Sequence, residues 1–192
     1  MKVLGISGSP RRGGNTDTLL ARFMEGAAIK GAEVKTLYVR DLNISGCKHC
    51  DACLAKGICR INDDMQAVYA EMEAADRIVL ASPLQFMNVT SELKALIDRC
   101  QALWARKYVL KVPPLGDNRE RKGFFISVGG RPSGPNLFEG ALATIKTLFR
   151  TMNVTYAGDI LLPGIDAKGD ILKHPEYLEQ SFLAGQKFVT NP

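Results

Sequence analysis

No run of apolar residues in this 192-residue chain approaches the roughly 18 that cross a bilayer, so no membrane-spanning segment is expected. The N-terminal stretch Met1-Lys2-Val3-Leu4-Gly5-Ile6-Ser7 passes into Ser, Pro, Arg and Gly without a secretory apolar segment or cleavage site, and a cytoplasmic protein is expected. An excess of one charge is also lacking: 25 Lys and Arg against 20 Asp and Glu leave +5. The only tight basic groupings are Arg11-Arg12 and Arg119 to Lys122, each interrupted or flanked by acidic or turn residues. With no basic stripe interleaved with aromatics, a nucleic-acid partner is excluded, and these charges read as solvated surface groups. Histidine occurs only twice, and no acid-base pair is evident. Low-complexity tracts and internal repeats are missing too, and an ordinary composition, 46% hydrophobic and 23% charged, leaves neither disorder nor a fibrous architecture in play.

The chain does have a regular alternation of strand-like and helix-like apolar patterns. Strands are expected at Val3 to Ser7, Glu33 to Val39, Arg77 to Ala81, Gly123 to Val128 and Thr155 to Leu162. Helices are expected after an Asn15-Thr16 cap up to Gly31, after the Asp63-Asp64 caps, after Thr90-Ser91, from Asn136 to Arg150 and from Pro175 to about Val189. Five strands each followed by a helix make one α/β domain over residues 1-192, with a parallel sheet. Two connections are too long for plain loops: 40-62 after the second strand, and an exposed excursion at 107-121. Ligands of doubly wound sheets sit beyond the carboxyl ends of the strands. The loops after strands one, three and four are therefore the places to seek chemistry.

The first of these loops, Ser7-Gly8-Ser9-Pro10-Arg11-Arg12-Gly13-Gly14-Asn15-Thr16, runs from a strand into a helix N-terminus. Free backbone N–H groups and the helix dipole favour an anion there, glycines allow close approach, and hydroxyl and amide side chains add donors. This is a phosphate cradle, with a ligand-free tight turn as the alternative. The loop lacks Gly-Lys-Ser/Thr, lacks G-x-G-x-x-G with its downstream acid, and holds no cysteine, which disfavours Walker, Rossmann and tyrosine-phosphatase sites. Strand three ends in Ser82-Pro83 rather than aspartate, so a phospho-acceptor receiver does not fit.

Cysteine is concentrated in one place. Four of the five fall within thirteen residues, Cys47, Cys50, Cys53 and Cys59, with the spacing C-x2-C-x2-C-x5-C. In a reducing compartment such clustering points to metal or redox chemistry rather than a disulfide framework. Structural zinc sites usually split their ligands into two distant knuckles, so the compact order favours a [4Fe-4S] cluster. Zinc and a metal-free or disulfide-forming loop stay open as alternatives. Cys100 stands apart on an apolar helix face and reads as core packing.

Gly5-Ile6-Ser7-Gly8-Ser9-Pro10-Arg11 with Gly14-Asn15-Thr16 resembles the opening of the NADPH-dependent FMN reductase family of flavodoxin-like proteins. The likeness continues at Ser82-Pro83-Leu84-Gln85-Phe86, at Leu93 to Arg99, and at Ser127-Val128-Gly129-Gly130. The cysteine motif resembles that of the iron-sulfur flavoproteins, a branch of the same family. The resemblance implies a flavodoxin-like doubly wound five-stranded parallel sheet, order 2-1-3-4-5, with a cysteine-rich insertion after strand 2. It also implies that Ser7, Ser9, Arg11, Asn15 and Thr16 hold the FMN phosphate. Pro83, Leu84, Gln85, Phe86 and Asn88 would border the isoalloxazine, and Gly129-Gly130 would close its other edge. The family's aromatic residue usually comes one position earlier than Phe86, which would leave Gln85 at the pyrimidine edge and Phe86 for core or interface packing.

Function follows in the same sense. The resemblance implies a flavin-dependent oxidoreductase with FMN and a [4Fe-4S] cluster on Cys47, Cys50, Cys53 and Cys59. It would exchange electrons with a ferredoxin-like carrier and reduce a small-molecule acceptor, as a homodimer or homotetramer. One alternative is an NAD(P)H-dependent FMN or quinone reductase whose cysteine loop is structural and metal-free. Another is a zinc-stabilised flavin-binding interaction module. No independent dinucleotide motif decides whether NAD(P)H is the donor.

Overall fold

A computed structural model describes residues 1–190. Five parallel strands, β1 (Lys2–Ser7), β2 (Glu33–Tyr38), β3 (Arg77–Pro83), β4 (Arg121–Gly129) and β5 (Val154–Pro163), form one sheet in the order β2-β1-β3-β4-β5, the expected flavodoxin-like winding. The helices are α1 (Asn15–Ile29), α2 (Cys53–Lys56), α3 (Met65–Ala74), α4 (Ser91–Arg99), α5 (Gln101–Trp104), α6 (Glu139–Thr151) and α7 (Pro175–Thr190). The chain leaves β1 toward β2 on one side and returns beyond β1 to β3 on the other. The switch point between β1 and β3 opens a crevice at their carboxyl ends.

Strand alternation decides what lies on each face of the sheet. Leu4, Ile6, Ile78, Leu80 and Phe125 point to the side covered by α3, α4 and α6, where Met72, Leu96 and Phe149 meet them. Val3, Val79, Phe124 and Ile126 point to the other side, under α1 and α7. There the rings of Phe23, Phe124 and Phe188 form a cluster with centroids 4.9 to 5.8 Å apart. Such aromatic pairs each add about 0.5–1.5 kcal/mol beyond the area they bury. Cys100 is buried in the first of these cores, and burial pushes its thiol pKa up to about 12, as core packing requires.

Several boundaries differ from expectation, each for a local reason. The N-cap of α1 is Gly14 rather than Asn15-Thr16, and α6 starts at Glu139 rather than Asn136. Asn136 has φ of 60°, outside the right-handed helical region. The third helical stretch runs on through α5 into a π-type turn at Ala105–Val109. The segment 107-121 is not wholly an exposed excursion, because Leu115 is buried and Arg121 folds inward with it. The expectation of solvated basic groups at Arg119 to Lys122 is therefore corrected. Arg121 is 2% exposed and donates to the carbonyls of Ala75 (3.0 Å), Glu73 (2.8 Å) and Leu115 (3.3 Å). Its guanidinium closes the end of the sheet opposite the crevice, where C-terminal carbonyls of α3 need donors.

Candidate functional site

The crevice is a cleft of about 230 Å³ between the loops that follow β1, β3, β4 and β5. Its floor is the start of α1. Gly14 caps that helix without a side-chain bond, so the first-turn N–H groups carry the helix dipole toward the cleft. Gly13 has φ of 61°, and a Cβ on Gly14 would stand 3.0 Å from the Arg11 carbonyl, so the turn over the helix end suits glycine. Ser9, Arg11, Asn15 and Thr16 line this end. Ser7 lies beneath it, fully buried.

Two residues not singled out from sequence hold this loop in shape. Asp17 accepts from Ser7 Oγ (2.6 Å) and Gly13 N (2.9 Å), and Arg40 pairs with it at 2.9 Å while donating to the Ser9 carbonyl at 2.9 Å. The pair is nearly buried, with side chains 7% and 11% exposed. Arg40 thus offsets a carboxylate that would otherwise repel an anion in the cradle. The Asn15 side chain clamps the loop after β5, donating to Ala167 O (2.8 Å) and accepting from Gly169 N (3.0 Å) and Ile171 N (3.3 Å). Arg11 reaches the same loop at the Asp166 carbonyl, 2.9 Å away, and Ile165 and Asp166 join the lining. These contacts span some 150 residues of sequence, and periodicity carries no signal for them.

The other wall comes from the loop after β3. Pro83, Leu84 and Gln85 line the cleft opposite Val128 and Gly130. Leu84 N donates to Val128 O at 2.8 Å, and Gln85 and Asn88 bridge each other at 2.9 and 3.0 Å. Phe86 and Met87, at φ of 48° and 60°, form the tip of this tight turn. Phe86 is fully exposed, neither core nor a wall of the cleft, and Asn88 Oδ1 turns to Thr144 on α6 at 3.2 Å. Gly129 ends β4 beside Leu84, and its carbonyl accepts from Ile165 N at 3.0 Å. Below, Thr90 caps α4 and donates to the Gly8 carbonyl at 2.6 Å, tying the wall to the anion loop.

Residues that would hold FMN therefore fit the group in their chemistry: a helix N-terminus with hydroxyl and guanidinium donors at one end, and an apolar wall with a backbone edge at the other.

The four clustered cysteines lie on the segment between β2 and α3. Cys47 and Cys50 are exposed, and Cys53 and Cys59 are half-buried. His49 and Asp51, at φ of 49° and 56°, turn the chain between them, and His49 N donates to Cys47 Sγ at 3.4 Å. Burial raises the Cys53 thiol pKa, a backbone hydrogen bond opposes this, and the thiols of Cys59, Cys47 and Cys50 raise it further. The other three thiols are thus within electrostatic reach of Cys53. No group of three or more His, Cys, Asp or Glu among the described residues is drawn together as a metal site. The donor set fits a soft metal or iron-sulfur group in its chemistry, and holding one requires the segment to close around it.

That segment is anchored at its base. Gln66 Nε2 donates to Ile61 O (2.8 Å) and Cys59 O (3.3 Å), and Arg106 Nε donates to Gly57 O (2.8 Å). Arg99, at the end of α4, donates to Ser45 O at 2.8 Å and Ile61 O at 3.2 Å. The helix α4 therefore touches the anion loop through Thr90 and the cysteine segment through Arg99, about 14 Å apart along a helix rising 1.5 Å per residue.

The family described as NADPH-dependent FMN reductase matches residues 1–159. The chain is 35% identical over 154 residues to an iron-sulfur flavoprotein of Methanosarcina thermophila, covering 80% of this chain and 74% of that one. It is 40% identical over 159 residues to an iron-sulfur flavoprotein of Methanocaldococcus jannaschii, covering 83% and 77%. Among solved structures, a flavone reductase superposes with a TM-score of 0.74 at 21% identity, over 98% of this chain and 62% of that one, and shares the fold.

Proposed function

Since the chain belongs to the NADPH-dependent FMN reductase family, in its iron-sulfur flavoprotein branch, and is a flavin-dependent oxidoreductase, we propose that it moves electrons between a ferredoxin-like carrier and a small acceptor. In this reading FMN occupies the cleft and a [4Fe-4S] cluster is held by Cys47, Cys50, Cys53 and Cys59. The observation that carries it is the shared support of the two sites. One helix, α4, braces the anion loop at its N-terminus and the cysteine segment at its C-terminus.

Flavin supplies two-electron and one-electron chemistry, and the cluster supplies one-electron chemistry. The chain's own residues bind and orient. The α1 N-terminus, Ser9, Thr16 and Arg11 hold the phosphate, with Ser7 and Asn15 fixing the loop that presents them. Pro83, Leu84 and Gln85 border the ring on one side and Gly129-Gly130 on the other. Phe86 and Asn88 form the lip. No side chain is assigned a proton to transfer.

The test is an iron, sulfide and zinc assay with a visible spectrum, on protein purified without oxygen. About four iron and four sulfide per chain beside flavin are expected, as one [4Fe-4S] cluster requires. Cys50→Ala is expected to lose iron and keep FMN; unchanged iron would overturn the cluster assignment. Flavin without iron after anaerobic reconstitution would leave an NAD(P)H-dependent FMN or quinone reductase with a structural cysteine loop. Light scattering on the same sample is expected to give two or four times the 21.0 kDa chain mass.

A further inference from the structure

Arg99 is an arginine with no access to water: its side chain is 0% exposed. A buried guanidinium is tolerated only when its charge is paired and its donors are used. Asp63 answers the charge through two bonds, Nη1 to Oδ2 at 2.6 Å and Nη2 to Oδ1 at 3.0 Å. The same two nitrogens donate to Ser45 O and Ile61 O, two residues before Cys47 and two residues after Cys59. Asp63 also accepts from Ser45 N at 3.0 Å. One ion pair thus gathers both ends of the cysteine segment, so the loop-closure entropy of that segment is already met by the fold.

One donor is left over. Arg99 Nε is buried and has no hydrogen-bond partner, a costly arrangement that calls for an acceptor. Burial opposes the guanidinium's charge, and the paired Asp63 outweighs it.

We propose that Arg99 is the positioning residue of the cysteine centre, closing with Asp63 the base of the 45–61 segment and setting a buried cation there. The inference rests on the cluster reading above. A buried cation at the base of the segment favours the more negative, reduced form of a group held there and raises its reduction potential. Lysine cannot replace this function, because one ammonium cannot span two loop ends and a carboxylate in fixed directions.

The experiment compares full-length wild type with Arg99→Lys, both loaded anaerobically with iron and sulfide and both containing FMN. Readouts are iron per chain, FMN affinity and the cluster midpoint potential from a redox titration followed by electron paramagnetic resonance. Expected for Arg99→Lys are wild-type FMN affinity, less than half the wild-type iron, and a lower potential in the fraction that loads. Gln66→Ala slackens the same loop without removing the cation and is expected to leave the potential unchanged. If Arg99→Lys does not fold, Arg99→Met with Asp63→Asn removes both charges together and is expected to show the same loss with FMN retained. Wild-type iron and potential in whichever variant folds would overturn the inference and leave the cluster reading standing. An equal potential shift in Gln66→Ala would overturn the role of the Arg99 charge. Absence of iron from wild type itself would sink both readings.

Discussion

Asp17 places a carboxylate directly beneath the loop proposed to hold the FMN phosphate, where a negative charge is out of place until its partners are counted. Ser7 Oγ and Gly13 N donate to it, and Arg40 pairs with it out of water. The carboxylate is a strut whose charge is offset locally. Removing one partner of a buried pair strands the other, so Asp17→Ala is expected to lower unfolding free energy by about 3–5 kcal/mol. Urea denaturation checks the stability, and flavin fluorescence titration is expected to show weaker FMN binding because the loop loses its support. Neither Asp17 nor Arg40 was legible as a site residue in the sequence. Asp17 reads there as an acid in the first turn of a helix, and Arg40 as the opening of a long connection.

Among the elements, α1 and α7 pack more closely than helices bearing side chains at the contact can. A Cβ on Gly26 would lie 2.0 Å from the Phe182 carbonyl oxygen, and one on Gly185 would lie 1.9 Å from the Phe23 carbonyl oxygen. Each glycine therefore lets the facing backbone in, and no side-chain rotation can relieve the clash. Gly185→Ala is expected to cost about 3 kcal/mol, the upper part of the range for overpacking, read as a fall in the urea midpoint with an unchanged m value. Helix α4 works differently. Its cap at Thr90 was visible from sequence, as was its apolar face, but its role as a brace between two loops depends on Gly8 and Ser45, which lie 82 and 54 residues from Thr90 and Arg99.

For the whole molecule, acid stability depends on carboxylates far from the cleft. Burial works to raise the pKa of Asp76, but the Lys2 backbone N–H, the Arg119 guanidinium and the N-terminal charge outweigh it and hold the group below its ordinary 3.8. Asp63 is held low against burial in the same way, by Arg99 and the N–H groups of Ser45 and Met65. A carboxyl depressed in the folded state stabilises fully above its unfolded pKa and loses that contribution as pH falls through the folded value. Thermal unfolding followed downward from pH 5 is expected to show a steep fall below about pH 4, and Asp76→Asn is expected to flatten that limb. A fall of equal slope in the variant would remove Asp76 as a cause.

Strand and helix order, the doubly wound class, the glycine-containing loop from β1 into a helix N-terminus and the compact cysteine motif were all written in the sequence itself. Each depends on residues adjacent in the chain or spaced by the strand and helix periods, and such patterns survive without knowledge of what packs against them. The tertiary structure decided the rest. It turned Phe86 out to solvent on a tight turn, committed the Asn15 side chain to a loop some 150 residues away, and carried Arg121 from an apparent surface run into the base of the sheet. It also set Arg99 under the cysteine segment. A buried polar group is satisfied by whatever donor or acceptor the fold brings to it, and that partner is chosen by the path of the sheet through space rather than by distance along the chain.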